Sequence, residues 1–335
     1  MDRFGGRTYD PTMKYFVTGA TGFIGGVVVR KLLERGDDVV AIARDPGRAR
    51  HLADQGVELH RGDVADRDSL VEPMRGVDGV FHIAGWYKVG VNDPDTAWAT
   101  NVDGTRHVLD VMGQLGIAKG VYTSTVAVNS DTHGREVDET YHFVGRHLTL
   151  YDTTKAEAHR IARVRIAEGL PLVIVMPGLV YGPEDTSSVR ASLRQLLRGR
   201  LPALPSGTTY NWAHVDDTAD AHLLAMDSAP VGETYIVTGP AATLLEGMRM
   251  AAEVAGVRPP VGIPASAMRS MAPVTGLLGK ALPMPAEYSP EGLRAVAGTT
   301  YLGSNAKAGR DLGYDPRPLE EGWVETVRHE MATLA

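Results

Sequence analysis

A chain of 335 residues, 43% apolar and 22% charged, can bury a sizeable core as one large α/β domain or as a large domain with a smaller second lobe. A formal net charge of −7 leaves no basic face wide enough to neutralise nucleic-acid phosphates, and the absence of cysteine excludes disulfides and thiolate metal sites. No apolar run approaches the roughly 18 to 20 residues of a membrane helix, so the expectation is a cytoplasmic protein with no nucleic-acid or membrane partner.

In chain order, residues 1–12 are polar and lack the apolar middle of a signal peptide; they read as a disordered leader ahead of Met13. Lys14 to Thr18 reads as a strand and Phe23 to Arg35 as a helix, with Gly36 where a helix C-terminal glycine belongs. Val39 to Ala43, Val57 to His60 and Gly79 to Ile83 follow as strands, then a helix over Thr100 to Leu115 and a strand over Gly120 to Val126. A long helix covers Tyr151 to Glu168, and Leu172 to Met176 is a sixth strand. This alternation predicts an α/β fold with a doubly wound parallel sheet. After Gly182-Pro183 the rhythm changes. Helices over Val189 to Arg198, Thr218 to Met226 and Leu244 to Val254 are interrupted by proline-bearing loops and one strand, Thr234 to Thr238. Residues 13–182 are expected to form the first domain, and 183–335 mainly a second lobe with segments returning to the first. The basic cluster Arg194 to Arg200 reads as the solvated side of a helix.

Thr18-Gly19-Ala20-Thr21-Gly22-Phe23-Ile24-Gly25 follows an apolar strand and opens an amphipathic helix. Glycines there allow a tight turn and close backbone approach to a pyrophosphate, which the helix N-terminus then attracts. The bland alternative is a strand-to-helix turn that binds nothing. Two residues separate the first two glycines, rather than the one of the simple dinucleotide fingerprint. With this spacing the sequence resembles the extended short-chain dehydrogenase/reductase family (the NAD-dependent epimerase/dehydratase family), in its dihydroflavonol-reductase-like branch. Further matching segments are Gly62-Asp63-Val64, Phe81-His82-Ile83-Ala84-Gly85, Asn101 to Thr105, Tyr122-Thr123-Ser124-Thr125, Tyr151 to Lys155 and Pro177 to Pro183. His214 to Asp217 and Ser304 to Lys307 also look like family positions. The resemblance implies a Rossmann fold with a smaller C-terminal substrate lobe. It also implies a dinucleotide held by Gly19, Thr21, Gly22, Phe23, Ile24, Gly25, Asp63, Val64, Ala84, Tyr151, Lys155 and Pro177.

The end of the second strand decides which dinucleotide. Alanine stands where a carboxylate would bind the ribose of NAD, and Arg44 follows, with Asp45-Pro46 behind it. A guanidinium there suits the extra phosphate of NADP, with NAD as the second choice. A surface arginine beginning a turn is the alternative. The family uses Asp63 at the adenine amino group; a capping or turn aspartate is its plain reading.

Tyr151 and Lys155, four apart in a helical stretch, share one face. An ammonium beside a phenol is expected to lower its pKa and let Tyr151 pass a proton to or from a substrate oxygen while hydride moves. The family alignment places a carbonyl-orienting hydroxyl at Thr125, with Ser124 as fallback, and Lys155 on the nicotinamide ribose. Met176, where many relatives carry arginine, reads as core. His214, Asp216, Asp217, Asp220 and His222 resemble a metal set, but come from one short segment in which Asp217 suits a helix N-cap, so no metal is expected. His82 reads as a packed or loop-bonding histidine.

These readings converge on an NADP-dependent carbonyl reductase or alcohol dehydrogenase acting on a small molecule, with a homodimer as the expected assembly and Thr125, Tyr151 and Lys155 catalytic. A nucleotide-sugar epimerase or dehydratase with NAD, and a non-catalytic NADP sensor, are the rivals. A mostly apolar substrate is expected. Met268, Met271 and Met284 belong to a segment from Ala265 to Pro285 that is rich in methionine, leucine and proline and whose cations are Arg269 and Lys280. Trp86, Tyr87, Tyr141 and Phe143 would add aromatic walls.

Overall fold

The computed structural model describes residues 12–88, 93–264, 267 and 298–334. The leader, and the segment expected to cover the pocket (Ala267 apart), lie outside the described residues. The first strand, β1 (Lys14–Thr18), is buried along nearly its whole length, as a central parallel strand must be. α1 (Phe23–Arg35) follows it and stops at Gly36, whose φ of 87° lets the chain turn back onto Leu32 and Leu33 carbonyls. Next come β2 (Asp38–Ala43), α2 (Arg50–Asp54), β3 (Glu58–Arg61), α3 (Asp68–Val71), β4 (Gly79–His82) and α4 (Pro94–Trp98). A π-helical turn, Ala99–Asp103, then leads into α5 (Gly104–Leu115). β5 (Lys119–Thr123) is followed by a short 3₁₀ turn, Val126–Asn129, then α6 (Leu150–Ala167) and β6 (Leu172–Pro177).

The second half adds β7 (Leu179–Tyr181), α7 (Ser188–Leu197), β8 (Ala203–Ser206), β9 (Thr209–His214), α8 (Val215–Ser228) and β10 (Thr234–Val237). It ends with β11 (Ala241–Thr243), α9 (Leu244–Ala255), β12 (Val261–Pro264), β13 (Thr300–Tyr301), α10 (Ala306–Leu312) and α11 (Leu319–Leu334).

Seven parallel strands form the central sheet in the order β10-β6-β5-β4-β1-β2-β3. This is the doubly wound Rossmann arrangement, and the order reverses between β1 and β4, which places a crevice beyond their C-terminal ends. Alternate residues of each strand feed opposite cores. Val17, Val121 and Val175 pack with α1 and α8, while Phe16, Tyr122 and Met176 pack with α5 and α6. Met176 is thus core, as its sequence context implied. β7, β9, β11 and β13 form a second, mixed sheet, and β12 pairs with β8. Its core is aromatic, with Tyr181, Trp212 and Trp323 in mutual ring contact at 4.9–5.5 Å. No helix of the described residues is long and apolar enough to cross a membrane.

Three local expectations change. The helix expected from Thr100 opens as a π turn because the side chain of Asn101 is drawn out of the helical stack. It accepts from Trp86 N at 2.7 Å and donates to Trp86 O and Thr154 Oγ1, both at 2.9 Å. The N-cap of α8 is His214, whose side chain accepts from Asp216 N, while the Asp217 carboxylate instead accepts from Arg317 N and Nε. In the basic cluster Arg198 and Arg200 are exposed, as expected, but Arg194, only partly exposed, joins Arg190 in clamping the buried Glu330 of α11.

That clamp gives a stability prediction. Burial raises the Glu330 pKa, but hydrogen bonds from Arg194 and Arg190 outweigh it and hold the carboxyl below the usual glutamate value. A folded-state pKa below the unfolded one stabilises at neutral pH and loses that contribution as pH falls through the glutamate range. Glu330→Gln should therefore cost about 2 kcal/mol at pH 7 in denaturant unfolding. The gap between variant and parent should narrow below pH 4.5, the ordinary glutamate value; a pH-independent gap would refute the ion-pair account.

Candidate active site

The crevice at the switch point is built first by absent side chains. A Cβ on Gly25 would lie 2.1 Å from Gly19 O, and one on Gly19, where φ is +75°, would lie 2.7 Å from Ala84 N. Only glycine permits this approach of turn, helix and the segment after β4. Gly22, the N-cap of α1, offers no side-chain cap, and the first turn of α1 holds no acidic residue. Its N–H groups and dipole are therefore available to an anion, and Thr21 and Gly22 are exposed beside them. The cradle fits a dinucleotide pyrophosphate held on Gly19 to Gly25, including Phe23 and Ile24 of the first helical turn.

At the adenosine end, Arg44 follows β2 as an exposed side chain with no ion-pair partner among the described residues. Asp45 Oδ1 accepts from Gly47 N at 3.0 Å and Arg48 N at 3.3 Å, folding residues 44–48 into a tight turn. Arg48 is likewise exposed and unpaired, a second cation that the sequence reading passed over. Asp63 uses Oδ1 in a local turn with Ala65 N. Val64 is fixed by His107, which meets its carbonyl at 3.0 Å. Ala84 N–H is engaged by Thr18 Oγ1 at 3.1 Å, and Pro177 closes β6 as a buried residue.

At the chemical end, Thr149 caps α6 by accepting from Asp152 N, which fixes the first turn carrying Tyr151 and Lys155. Thr125 follows β5 in extended conformation and hydrogen-bonds Tyr151. Ser124 is turned away, its hydroxyl 2.8 Å from His159 Nδ1, so Thr125 rather than Ser124 faces the phenol. Lys155 is 5% exposed and donates to Thr123 O at 2.7 Å and Tyr122 Oη at 3.2 Å.

The electrostatics differ from the sequence expectation. Burial pushes the Tyr151 phenol up to about 12, with the Thr125 hydrogen bond pulling it only partly back. Burial also pulls Lys155 down to about 7. Desolvation dominates the ammonium's influence, so Tyr151 is a protonated donor at neutral pH in the absence of cofactor. The aromatic residues expected as walls differ in their surroundings. Trp86 is buried with its main chain clasped by Asn101, and Tyr87 Oη meets Thr186 Oγ1 at 2.9 Å. Tyr141 lines a cleft with His142, His159 and Arg163. The ring of Phe143 lies 4.9 Å from that of His147.

The histidine and aspartate set near α8 disperses. His222 bonds Thr123 Oγ1 and Thr218 O, and Asp220 pairs with Lys31. His214, Asp216 and Glu325 do converge within 4.8 Å. Their carboxylates are already met by Arg30, Lys31 and Arg317, which leaves little attraction for a metal cation.

Comparison with known proteins agrees with this architecture. The sequence profile of the NAD dependent epimerase/dehydratase family matches residues 15–238, and the chain belongs to that family. It is an NAD(P)-dependent enzyme of the extended short-chain dehydrogenase/reductase type. A putative dihydroflavonol 4-reductase of Synechocystis is 34% identical over 229 residues, 67% of this chain and 65% of that one. The 4-hydroxy-2-methyl-3-oxo-4-farnesyl-3,4-dihydroquinoline-1-oxide ketoreductase of Stigmatella aurantiaca is 30% identical over 94% of this chain and 96% of its own. Among solved structures, gox2253 superposes with a TM-score of 0.83 at 32% identity, covering 96% and 99% of the two chains. The Thermus thermophilus UDP-glucose 4-epimerase complex with NAD gives 0.76 at 27% identity, covering 95% and 99%.

The glycine turn separates two substitutions of equal chemistry. A Cβ at Gly26 meets nothing nearer than Ala20 O at 3.6 Å, whereas at Gly25 it collides with backbone. Gly25→Ala should weaken dinucleotide binding about 100-fold in a fluorescence titration, and Gly26→Ala by less than about twofold. Equal effects would show that the turn is not the cradle.

Proposed function

We propose that the protein is an NADP-dependent reductase of mostly apolar ketones and aldehydes, able to oxidise the corresponding alcohols. The observation that carries this reading is the protonated, half-buried Tyr151 phenol with the Thr125 hydroxyl beside it, a proton donor paired with a second hydroxyl at one point of the crevice. The reduced nicotinamide supplies the hydride when bound. Thr125 and Tyr151 orient the substrate carbonyl by hydrogen bonds to its oxygen, and Tyr151 delivers its proton there as the carbon accepts hydride. Lys155, charged, then stabilises the phenolate left behind until water reprotonates it. In the oxidative direction the same phenolate removes the hydroxyl proton.

Arg44, exposed at the end of β2 with no ion-pair partner among the described residues, supports NADP over NAD, and Arg48 adds charge on the same turn. The nearly full-length likeness to a ketoreductase named for a farnesylated quinoline oxide supports an apolar carbonyl substrate. The epimerase reading draws on the likeness to the NAD-bound UDP-glucose 4-epimerase, and the two readings separate experimentally. NADPH consumption with a panel of aryl ketones and aldehydes supports the reductase. Tight calorimetric binding of UDP- or dTDP-sugars without turnover across that panel would overturn it.

Two variants test the assigned roles. Tyr151→Phe should retain folding and NADPH affinity and lose at least about 100-fold in kcat; residual activity above a tenth of the parent would remove the phenol from proton transfer. The parent should bind NADPH more tightly than NADH, with Arg44→Ala closing most of that gap. Equal affinities in the parent would end the NADP assignment.

A further inference from the structure

Beside Lys155 and Tyr122 runs a buried hydrogen-bond chain whose proton positions follow from counting donors. Thr18 Oγ1 accepts from Ile83 N and Ala84 N, each at 3.1 Å, so its own proton goes to His82 Nδ1 at 2.8 Å. His82 therefore carries its proton on Nε2 and donates it to Thr105 Oγ1 at 3.1 Å. Thr105 spends its proton on Asn101 O at 2.7 Å. Beside it, the Tyr122 ring stacks on His82 and its phenol oxygen accepts from Lys155 Nζ at 3.2 Å.

We propose that Tyr122 is a positioning residue for Lys155, holding its ammonium through the phenol oxygen, while its ring stacks on His82, which Thr18 joins to the glycine turn. The proposal rests on the reading of Lys155 as part of the catalytic site. The chain and the pair beside it are buried: Thr18, His82, Thr105, Tyr122 and Lys155 are each at most 5% exposed. No water is needed to complete the donor count, and no member can rotate without leaving a buried polar group unpaired. The His82 ring stacks on Tyr122 at 5.4 Å, and Lys155 Nζ sits 4.8 Å from the Tyr122 ring centroid, so the phenol is fixed in plane as well as by its hydroxyl. The ammonium gives two N–H groups to Thr123 O and Tyr122; the third has no protein partner among the described residues.

The groups facing Lys155 are Tyr122 from β5, His82 from β4, and Tyr151 and His159 from its own helix. Burial holds His82 down at about 3 and lifts the Tyr122 phenol above its ordinary value, so both stay neutral through the working range. A neutral acceptor stabilises the charged amine, and its loss must lower the lysine pKa.

The test is a pH titration of the full chain labelled with ¹⁵N-lysine, with the Lys155 Nζ resonance assigned by comparison with Lys155→Met. Tyr122→Phe keeps the ring and should lower the Lys155 midpoint by about one pH unit, with NADPH affinity within about twofold of the parent. Thr105→Val, which removes the acceptor that holds the His82 ring against Tyr122, should lower it in the same direction by less, and carries the test if Tyr122→Phe does not fold. A midpoint unchanged or raised in the folded variants overturns the proposal. The titration uses no substrate, so an inactive ketone panel would defeat the reductase reading without touching this result.

Discussion

Lys155 is a buried amine, 5% exposed, and the arrangement of the crevice follows from how its charge is accommodated. An ammonium moved out of water costs several kcal/mol unless protein acceptors replace its hydration. The sheet supplies the strongest acceptor by interrupting its own ladder. Past the last β4–β5 pair, His82↔Tyr122, the N–H groups of Ile83 and Ala84 turn to Thr18 Oγ1 instead of to β5. Thr123 O is thereby left to Lys155 at 2.7 Å. The same Thr18 hydroxyl holds the Ala84 backbone against Gly19, where a Cβ would not fit. The dinucleotide cradle and the lysine are therefore shaped by one set of contacts at the topological switch point.

The compensation is partial, and that has a chemical use. With two protein acceptors Lys155 is poised near 7, and without a neighbouring full charge Tyr151 keeps its proton. A phenol in this state suits delivery of a proton to a carbonyl oxygen. Protonated Lys155 would stabilise the resulting phenolate, and a bound oxidised nicotinamide would add positive charge. On the proposed reading, reduction starts from the protonation state the protein itself favours, while oxidation must first ionise the phenol. The Thr125 hydrogen bond, the one interaction that lowers the Tyr151 pKa, serves both directions.

Much of this was readable in the sequence, for reasons that particular segments make plain. The glycine turn declares itself because steric exclusion of Cβ at Gly19 and Gly25 admits one residue type, and α1 runs from Phe23 to Arg35 as its glycine stop implies. Tyr151 and Lys155 needed only helical spacing. The short strands outside the central sheet were not legible, because β7, β8 and β11 are three or four residues long, β8 includes Pro205, and all three are fixed by distant pairing rather than by their own pattern. α11 was passed over, although it carries Trp323 and Glu330 into the second core. The role of Tyr122 was hidden in plain view: a tyrosine in a buried strand reads as packing, and only side-chain direction shows its hydroxyl turned to Lys155. Arg194 misled for the converse reason, since its partner Glu330 lies 136 residues away.

The central claim is that hydride leaves bound NADPH for a carbonyl carbon while Tyr151 protonates the oxygen. The most direct measurement is turnover of an aryl ketone with NADPH carrying deuterium at the transferred position of C4, followed by NMR of the product. The account predicts deuterium on the carbinol carbon, one equivalent of NADP formed per alcohol, and a slowed rate with the labelled cofactor. Epimerisation of a nucleotide sugar with no net cofactor oxidation and no deuterium in any alcohol product would contradict it.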